Sequence, residues 1–141
     1  MVNNLINIPL DKVEPLTAKK IKISISGMIF RGTLNETKTA NEIYRAIPFQ
    51  SKGEVWGQEL YFYIPVKTGN EKPVTEVKLG DLAYWPEGHA LCIFFGPTPM
   101  STGTAIIPAA PVTVVGKIQC KPNSFPHLRN YIIKIDKDLT I

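Results

Sequence analysis

The sequence predicts a mainly β protein, built as a closed antiparallel barrel of about eight strands with one or two short helices. Short alternating or continuous apolar segments recur along the chain, with turn residues between them. The 12 prolines and 10 glycines among 141 residues are typical of many turns rather than long helices. Because closure removes the exposed edges of many short strands, a barrel is the economical architecture.

The N-terminal part of the chain is expected to be an arm followed by two strands. Residues 1–18 show no sustained periodicity, which predicts an N-terminal arm, and residues 19–141 then form the barrel domain. From Lys20 to Ile25 lysines alternate with isoleucines, which predicts a strand with its isoleucines inward. After Gly27, Met28 to Leu34 gives a second strand.

One amphipathic helix is predicted after these strands. Thr39 and Glu42 have the spacing of a capping box, which starts a helix, and Pro48 stops it. The apolar residues that share one helical face are Ala40, Ile43, Tyr44 and Ile47. So short a helix cannot form its own core, so we expect it to cover an open end or face of the barrel.

The segment from Val55 to Pro65 predicts one long strand. Leu60, Phe62 and Ile64 lie on one face, and Glu59, Tyr61 and Tyr63 lie on the other. Gly57 inside this run indicates a bulge or a close backbone approach, either of which would re-aim Trp56.

The stretch from Leu79 to Met100 contains the most apolar strand and the loops that bracket it. Every residue from Ala90 to Phe95 is apolar, which predicts a central strand covered on both faces. Gly96 to Pro111 is a loop with four prolines, longer than the usual connection of about 4–6 residues, and loops of this length are often functional. Two further strands are expected, Val112 to Gln119 with a bulge at Gly116, and Tyr131 to Ile135.

A family resemblance rests on this same stretch. The run LGDLAYWPEGHALCIFFGPTPMS resembles the signature of small bacterial and archaeal proteins with a cyclophilin-like fold, whose biochemical function is not established. The likeness extends to Thr39–Pro48 and Trp56–Phe62, and covers about Ile21 to Ile135. It implies a cyclophilin-like barrel and does not imply a particular reaction.

The resemblance also raises peptidyl-prolyl isomerisation as an alternative activity. Cyclophilins hold a substrate proline in a pocket of phenylalanine, methionine and tryptophan, and polarise the peptide with an arginine beside a glutamine. Phe95 is similar to their pocket phenylalanine, and Gln58 is a loose analogue of the glutamine. The three arginines all lie outside the predicted strand that would supply the cation: Arg31, Arg45 and Arg129. The electrostatic part of isomerase catalysis is therefore missing there.

Charge and cysteine content argue against several partner classes. The net charge of +4 comes from 13 scattered lysines and only three arginines, whereas base readout relies on arginine, so we expect no nucleic-acid partner. The N-terminus has no signal-peptide pattern and no window is long and apolar enough to span a membrane, which predicts a cytoplasmic protein without a membrane partner. Cys92 and Cys120 make no disulfide framework or zinc motif.

The sequence gives no sign of a metal, a cofactor or a catalytic nucleophile. His89 and Cys92 lie three positions apart, so a regular strand points them to opposite faces and they cannot chelate one ion or form a Cys/His pair. An acid or base role for Glu59 or Asp81 has no visible catalytic partner.

What remains is an aromatic and apolar concavity with a few polar groups, as an apolar binding pocket requires. We predict a binding module for a small molecule or a proline-containing peptide, acting as a monomer or a small homo-oligomer. A structural, self-associating protein is a further alternative. The candidate ligand-binding residues are Trp56, Glu59, Tyr84, Trp85, His89, Phe95 and Met100.

Overall fold

The computed structural model describes residues 19–140, so the arm expected over residues 1–18 lies outside the described residues. The helix α1 spans Lys38–Ala46, and a short 3₁₀ turn spans Pro86–Gly88. No helix in this part of the chain is long and apolar enough to cross a membrane. The strands are β1 (Lys19–Ile25), β2 (Met28–Leu34), β3 (Phe49–Trp56), β4 (Glu59–Tyr63), β5 (Asp81–Trp85), β6 (Ala90–Phe94), β7 (Thr113–Ile118) and β8 (Tyr131–Lys137).

The strands close into a barrel, as predicted. Their order is β1-β2-β7-β5-β6-β4-β3-β8, and β8 pairs with β1 to complete the ring. Neighbouring strands are antiparallel throughout. The predicted irregularity near Gly116 is present, because the register between β5 and β7 shifts just after Leu82 pairs with Gly116.

The prediction of one long strand from Val55 to Pro65 is wrong. The chain reverses after β3, so that Trp56 pairs with Glu59 across a two-residue turn. Gly57 holds φ at +63° in the first position of that turn, where glycine has no steric penalty. Gly57 therefore makes a hairpin turn rather than a bulge. The alternative prediction of a close backbone approach is confirmed, because a Cβ at Gly57 would lie 2.9 Å from the Pro97 carbonyl oxygen. So short a turn leaves the alternating pattern almost unbroken, which explains why the sequence looked like a single strand.

The helix is present, but the predicted capping box is wrong. The N-cap is Thr37, whose hydroxyl accepts from the backbone N–H of Ala40 at 3.1 Å. Thr39 is already inside the helix and buried, and Glu42 instead pairs with Arg45 on the surface. Two threonines stand within three positions, and both satisfy the residue preference of a cap, so the sequence alone did not separate them.

Glu71 occupies the start of α1 from a distant part of the chain. Its carboxylate accepts from the backbone N–H groups of Lys38 and Thr39 and from the Thr39 hydroxyl, each at 3.1 Å. These bonds hold the pKa of Glu71 below its usual range. The buried face of the helix, with Ala40 and Ile43, joins the barrel interior, as expected for a helix that covers an open end.

The barrel has two apolar clusters, one on each side of β6. The interior cluster includes Leu91, Ile93 and Phe95. The exterior cluster includes Cys92 and Phe94 together with Val77, Ala83, Ile106 and Val112. The prediction that the Ala90–Phe95 segment is covered on both faces is therefore confirmed. The outer cover comes from the chain before β5 and from the proline-containing segment between β6 and β7.

Candidate functional site

A cavity of about 230 Å³ lies on the outer face of the barrel. Its floor is formed by the outward side chains of β4, β5 and β6, and its roof by the segment that leads into β7. The residues that line it are Trp56, Glu59, Tyr61, Trp85, Cys92, Pro108, Ala109, Ala110 and Val112.

Strand alternation determines which side chains reach this cavity. On β4, Leu60 and Phe62 are buried in the interior, so Glu59 and Tyr61 point outward. Register then brings Cys92 of β6 directly beside Tyr61. The residues of the floor are thus determined by which side chains of each strand point outward and by the pairing between strands.

Hydrogen bonds join the segment before the roof to itself and the end of the roof to the chain before β5. The Thr98 hydroxyl donates to the carbonyl of Ile107, and the Ser101 hydroxyl accepts from the Ile107 N–H at 3.0 Å. Closer to β7, Val112 and Val74 exchange two backbone bonds of 2.9 and 3.0 Å. The end of the roof is therefore bonded to a distant part of the chain, the segment before β5.

The cavity wall contains a buried carboxyl group without a full set of partners. Glu59 is only 7% exposed, and its Oε1 has no hydrogen-bond partner. Burial raises the pKa of Glu59, and the neighbouring thiol of Cys92 partly opposes that rise. Burial also raises the pKa of the Cys92 thiol well above its usual value, so this cysteine is a poor nucleophile.

A second unpartnered polar atom lies in the same wall. The indole Nε1 of Trp85 is buried and has no hydrogen-bond acceptor. Tyr61 packs at right angles to Trp85, with ring centroids 6.4 Å apart, and fixes one side of the indole. In residues 19–140 only three buried side-chain polar atoms lack a partner, and two of them belong to residues that line this cavity. Such groups are rare in proteins because each loses its hydration without compensation.

Three of the seven predicted ligand-binding residues meet at the cavity: Trp56, Glu59 and Trp85. Tyr84 and Phe95 lie in the barrel interior instead. The Tyr84 hydroxyl donates to the carbonyl of Val66 at 2.6 Å, so it ties the interior to the chain after β4. Phe95 packs edge-on against neighbouring rings, those of Phe30 and Phe125.

The other two predicted residues also lie outside this cavity. His89 has a left-handed backbone (φ 47°) after the 3₁₀ turn, and its ring packs edge-on to Tyr63 at 6.4 Å. Met100 is 52% exposed on the surface. The structure thus brings the tryptophans and the acid together and separates the remaining four.

Several lining residues were not predicted from the sequence. Tyr61 and Cys92 share the outward face with Glu59 and Trp85, and the strand alternation already contained that signal. The roof residues Pro108, Ala109 and Ala110 had no such signal, because they belong to a loop whose path depends on tertiary bridges.

Metal binding and an arginine-assisted reaction find no support at this site. Within the described chain, no three His, Cys, Asp or Glu side chains are grouped closely enough to hold an ion. The cavity lining contains no arginine. Arg31 forms an ion pair with Asp138 at 2.6 Å, and Arg45 pairs with Glu42.

Comparison with known proteins identifies the family. The model of the family described as cyclophilin-like matches residues 19–132. The chain is also similar to a hypothetical protein from Archaeoglobus fulgidus with a known solution structure: 31% identity, a TM-score of 0.72, and coverage of 89% of this chain and 98% of that one. A comparison with curated proteins finds no match. Both the sequence match and the barrel topology place this chain in the cyclophilin-like family.

Proposed function

We propose that the protein is a binding module that takes a small molecule, or one residue of a short peptide, into the outer cavity. The observation that carries this proposal is the largely aromatic and apolar lining of the cavity, which includes Trp56, Tyr61 and Trp85 together with one buried acid, Glu59. An apolar pocket with a few polar groups that fix orientation is the usual form of a small-molecule site.

The size of the cavity limits its occupant. At about 230 Å³ it is smaller than the ~300–1,000 Å³ of pockets that hold drug-sized ligands. Its occupant is therefore a compact group, such as one small ring or a proline side chain. The rings of Trp56, Tyr61 and Trp85 offer flat apolar surfaces for such a group.

Binding is favoured over peptidyl-prolyl isomerisation as the role of this cavity. Its wall offers an acid and an indole rather than a cation, so it lacks the charge that would polarise a prolyl peptide bond. Phe95, the residue similar to the cyclophilin pocket phenylalanine, packs in the interior. A protease-coupled assay with a prolyl peptide separates the two roles. We expect isomerisation of the peptide in the presence of the protein to take the uncatalysed time of about 10–100 s.

The proposal is tested by the indole N–H signals of the two tryptophans in proton–nitrogen correlation spectra. Cycloheptanone, ε-caprolactam and N-acetylprolinamide serve as compact apolar probes, and Trp56→Phe assigns the two signals. We expect at least one probe to shift the Trp85 signal saturably. If none of the three shifts either indole signal at millimolar concentration, the cavity is not a binding site.

The control variant is Tyr63→Phe. Tyr63 is on the same strand as Glu59 but is 54% exposed and lies outside the cavity wall. It should bind every probe as the wild type does. A loss of binding in this variant would place the probes elsewhere on the barrel.

The remaining expectations form part of the same proposal. We propose a cytoplasmic protein, a monomer or small homo-oligomer, that binds neither nucleic acid nor membranes. The free thiols of Cys92 and Cys120 are compatible with a reducing compartment. Light scattering tests the competing idea of a structural, oligomer-forming protein, which is ruled out if only monomer is found over a wide concentration range.

A further inference from the structure

We infer that the group recognised in the cavity is a quaternary ammonium cation, held by the aromatic rings of Trp56, Tyr61 and Trp85. This inference rests on the proposed function, because it names the ligand class of the same cavity. The observations behind it are the arrangement of the rings, the acids that pair with them across the β3–β4 hairpin, and the burial of the other polar groups in the wall.

The rings of Tyr61 and Trp85 form two walls at a right angle. Their planes are 86° apart and their centroids are 6.4 Å apart, so a cation between them can lie within ~6 Å of both centroids, where cation–π attraction acts. A Cβ at Gly88 would lie 2.5 Å from Cε3 and Cζ3 of Trp85, so the indole packs directly on the glycine backbone. Trp85 is therefore positioned from two sides, and Trp56 adds a third ring to the cavity.

Two of the cavity rings have an acid directly opposite them across the β3–β4 hairpin. Trp56 pairs with Glu59 and Tyr61 pairs with Glu54, and such opposite residues have Cβ atoms ~4.5–5.5 Å apart. Burial raises the pKa of Tyr61, and the charges of Glu54 and Glu59 raise it further. The lining contains no lysine, arginine or histidine. The charge around the rings therefore favours a cation, although the whole chain carries a net charge of +4.

The wall favours a cation that needs no hydrogen bonds. Glu59 Oε1 and Trp85 Nε1 are buried and Cys92 is only 1% exposed, so these groups are closed to a ligand in the cavity. A primary ammonium has three N–H donors, which would lose their hydration there without replacement partners. A quaternary ammonium has no N–H group, and its methyl groups suit an apolar lining of aromatic rings. A trimethylammonium group is also compact, as a cavity of about 230 Å³ requires.

Three probes that share one hydroxyethyl arm test the inference on the wild-type protein. Choline carries a trimethylammonium group, neohexanol has the same shape with carbon in place of the nitrogen, and ethanolamine is a primary ammonium. Both tryptophans of the chain line the cavity, so tryptophan fluorescence measures binding. We expect choline to bind about tenfold more tightly than neohexanol, because cation–π attraction to desolvated rings contributes on that scale. Ethanolamine should bind more weakly than choline.

Variants then assign the preference to the rings and to the acids. Tyr61→Leu keeps an apolar side chain but removes the π face, so it should lower the preference for choline over neohexanol by about threefold. Glu54→Gln removes an exposed charge outside the lining, so it should weaken choline about twofold at low ionic strength and leave neohexanol unchanged. The control Glu42→Gln removes the same charge from α1, outside the lining, and should alter neither.

The source of the cation is decided by a fourth probe. Nα-acetyl-trimethyllysine methylamide presents the same trimethylammonium group on a peptide-like backbone, whereas choline is a free small molecule. Tighter binding of the lysine derivative supports a methylated peptide ligand, and tighter binding of choline supports a free quaternary amine. Either result is consistent with recognition of the trimethylammonium group.

The outcomes separate the inference from the proposed function. If choline and neohexanol bind equally, the cavity selects by apolar shape, so the proposed function stands and the inference is wrong. If ethanolamine binds as tightly as choline, the site selects through hydrogen bonds and the inference is again wrong. If none of the three binds, the inference fails, and cycloheptanone, ε-caprolactam and N-acetylprolinamide decide the proposed function independently. Because the probe series uses the wild-type protein, it decides the matter even where a variant does not fold.

Discussion

Replacing Tyr84 with phenylalanine tests whether this tyrosine supports the barrel or binds a ligand. Tyr84 is completely buried in the interior. Its hydroxyl donates to the Val66 carbonyl at 2.6 Å and accepts from the Thr68 N–H at 3.3 Å. Tyr84→Phe keeps the ring and removes only these two bonds.

The expected loss follows from the two bonds and from the groups they leave behind. A typical net hydrogen bond contributes ~0.5–1.5 kcal/mol, and an unsatisfied buried acceptor adds to the loss. Because Val66 is itself buried, we expect Tyr84→Phe to lower the free energy of unfolding by about 2 kcal/mol. An unfolding entropy of about 2.1 cal/mol/K per residue over 141 residues converts this to a fall in Tm of about 7 °C.

Urea unfolding measures this loss, with Tyr63→Phe as the matched control. The control removes the hydroxyl of an exposed tyrosine and should change the stability by less than about 0.5 kcal/mol. Caprolactam binding should be unchanged in both variants. A supporting role for Tyr84 is ruled out if Tyr84→Phe is as stable as the control. It is also ruled out if Tyr84→Phe loses probe binding without losing stability, since Tyr84 would then be a ligand contact.

Three further predictions concern the cavity acid, the hairpin turn and the helix cap. Because burial raises the pKa of Glu59 above its ordinary 4.5, the stability that this group contributes is complete below the unfolded-state pKa and is lost as pH rises through the folded-state value. Glu59→Gln should therefore be at least as stable as the wild type near pH 7 and lose that margin near pH 4 in thermal melts; a lower Tm of the variant near neutral pH would contradict this. Gly57→Ala should lower the free energy of unfolding by more than about 1 kcal/mol in urea, because its Cβ would lie 2.8 Å from Pro99 Cδ. The control Gly103→Ala measures the backbone strain alone, because Gly103 has a φ of +58° and open space around it. Equal losses of stability in the two variants would mean that the clash at Gly57 is relieved. Thr37→Ala should lower the free energy of unfolding by about 0.5–2 kcal/mol in urea, and Glu42→Gln should lower it by less than about 0.5 kcal/mol. If Glu42→Gln lost more stability than Thr37→Ala, the capping box of Thr39 and Glu42 would be the correct interpretation.

The sequence predicted those features of the barrel that depend on local pattern. Alternation placed the isoleucines of β1 inward, and the continuous apolar run of β6 correctly required cover on both faces. The hairpin at Gly57 and the cap at Thr37 were missed, because a two-residue turn and two nearby threonines each fit two interpretations. The choice between them is made by long-range contacts, such as the bonds from Glu71 to the start of α1.

The candidate site was predicted only in part, for a related reason. Tyr84 and Trp85 are adjacent on β5, so they must point to opposite faces and cannot both line one cavity. The predicted site was chosen as aromatic residues near strand ends, without regard to which face of the strand each residue occupies. The position of the roof, residues 108–112, could not be predicted from local sequence patterns, because it depends on backbone bridges to residues far away in the chain.

The outer cavity is tested as the binding site most directly by the nuclear Overhauser contacts between bound ε-caprolactam and the protein. We predict contacts to the ring protons of Trp56 and Trp85 and to the methyl groups of Ala109 and Ala110, which line the same cavity. Contacts to Tyr84 or Phe95 in the interior, or to Met100 on the surface, would contradict the assignment of the outer cavity as the binding site.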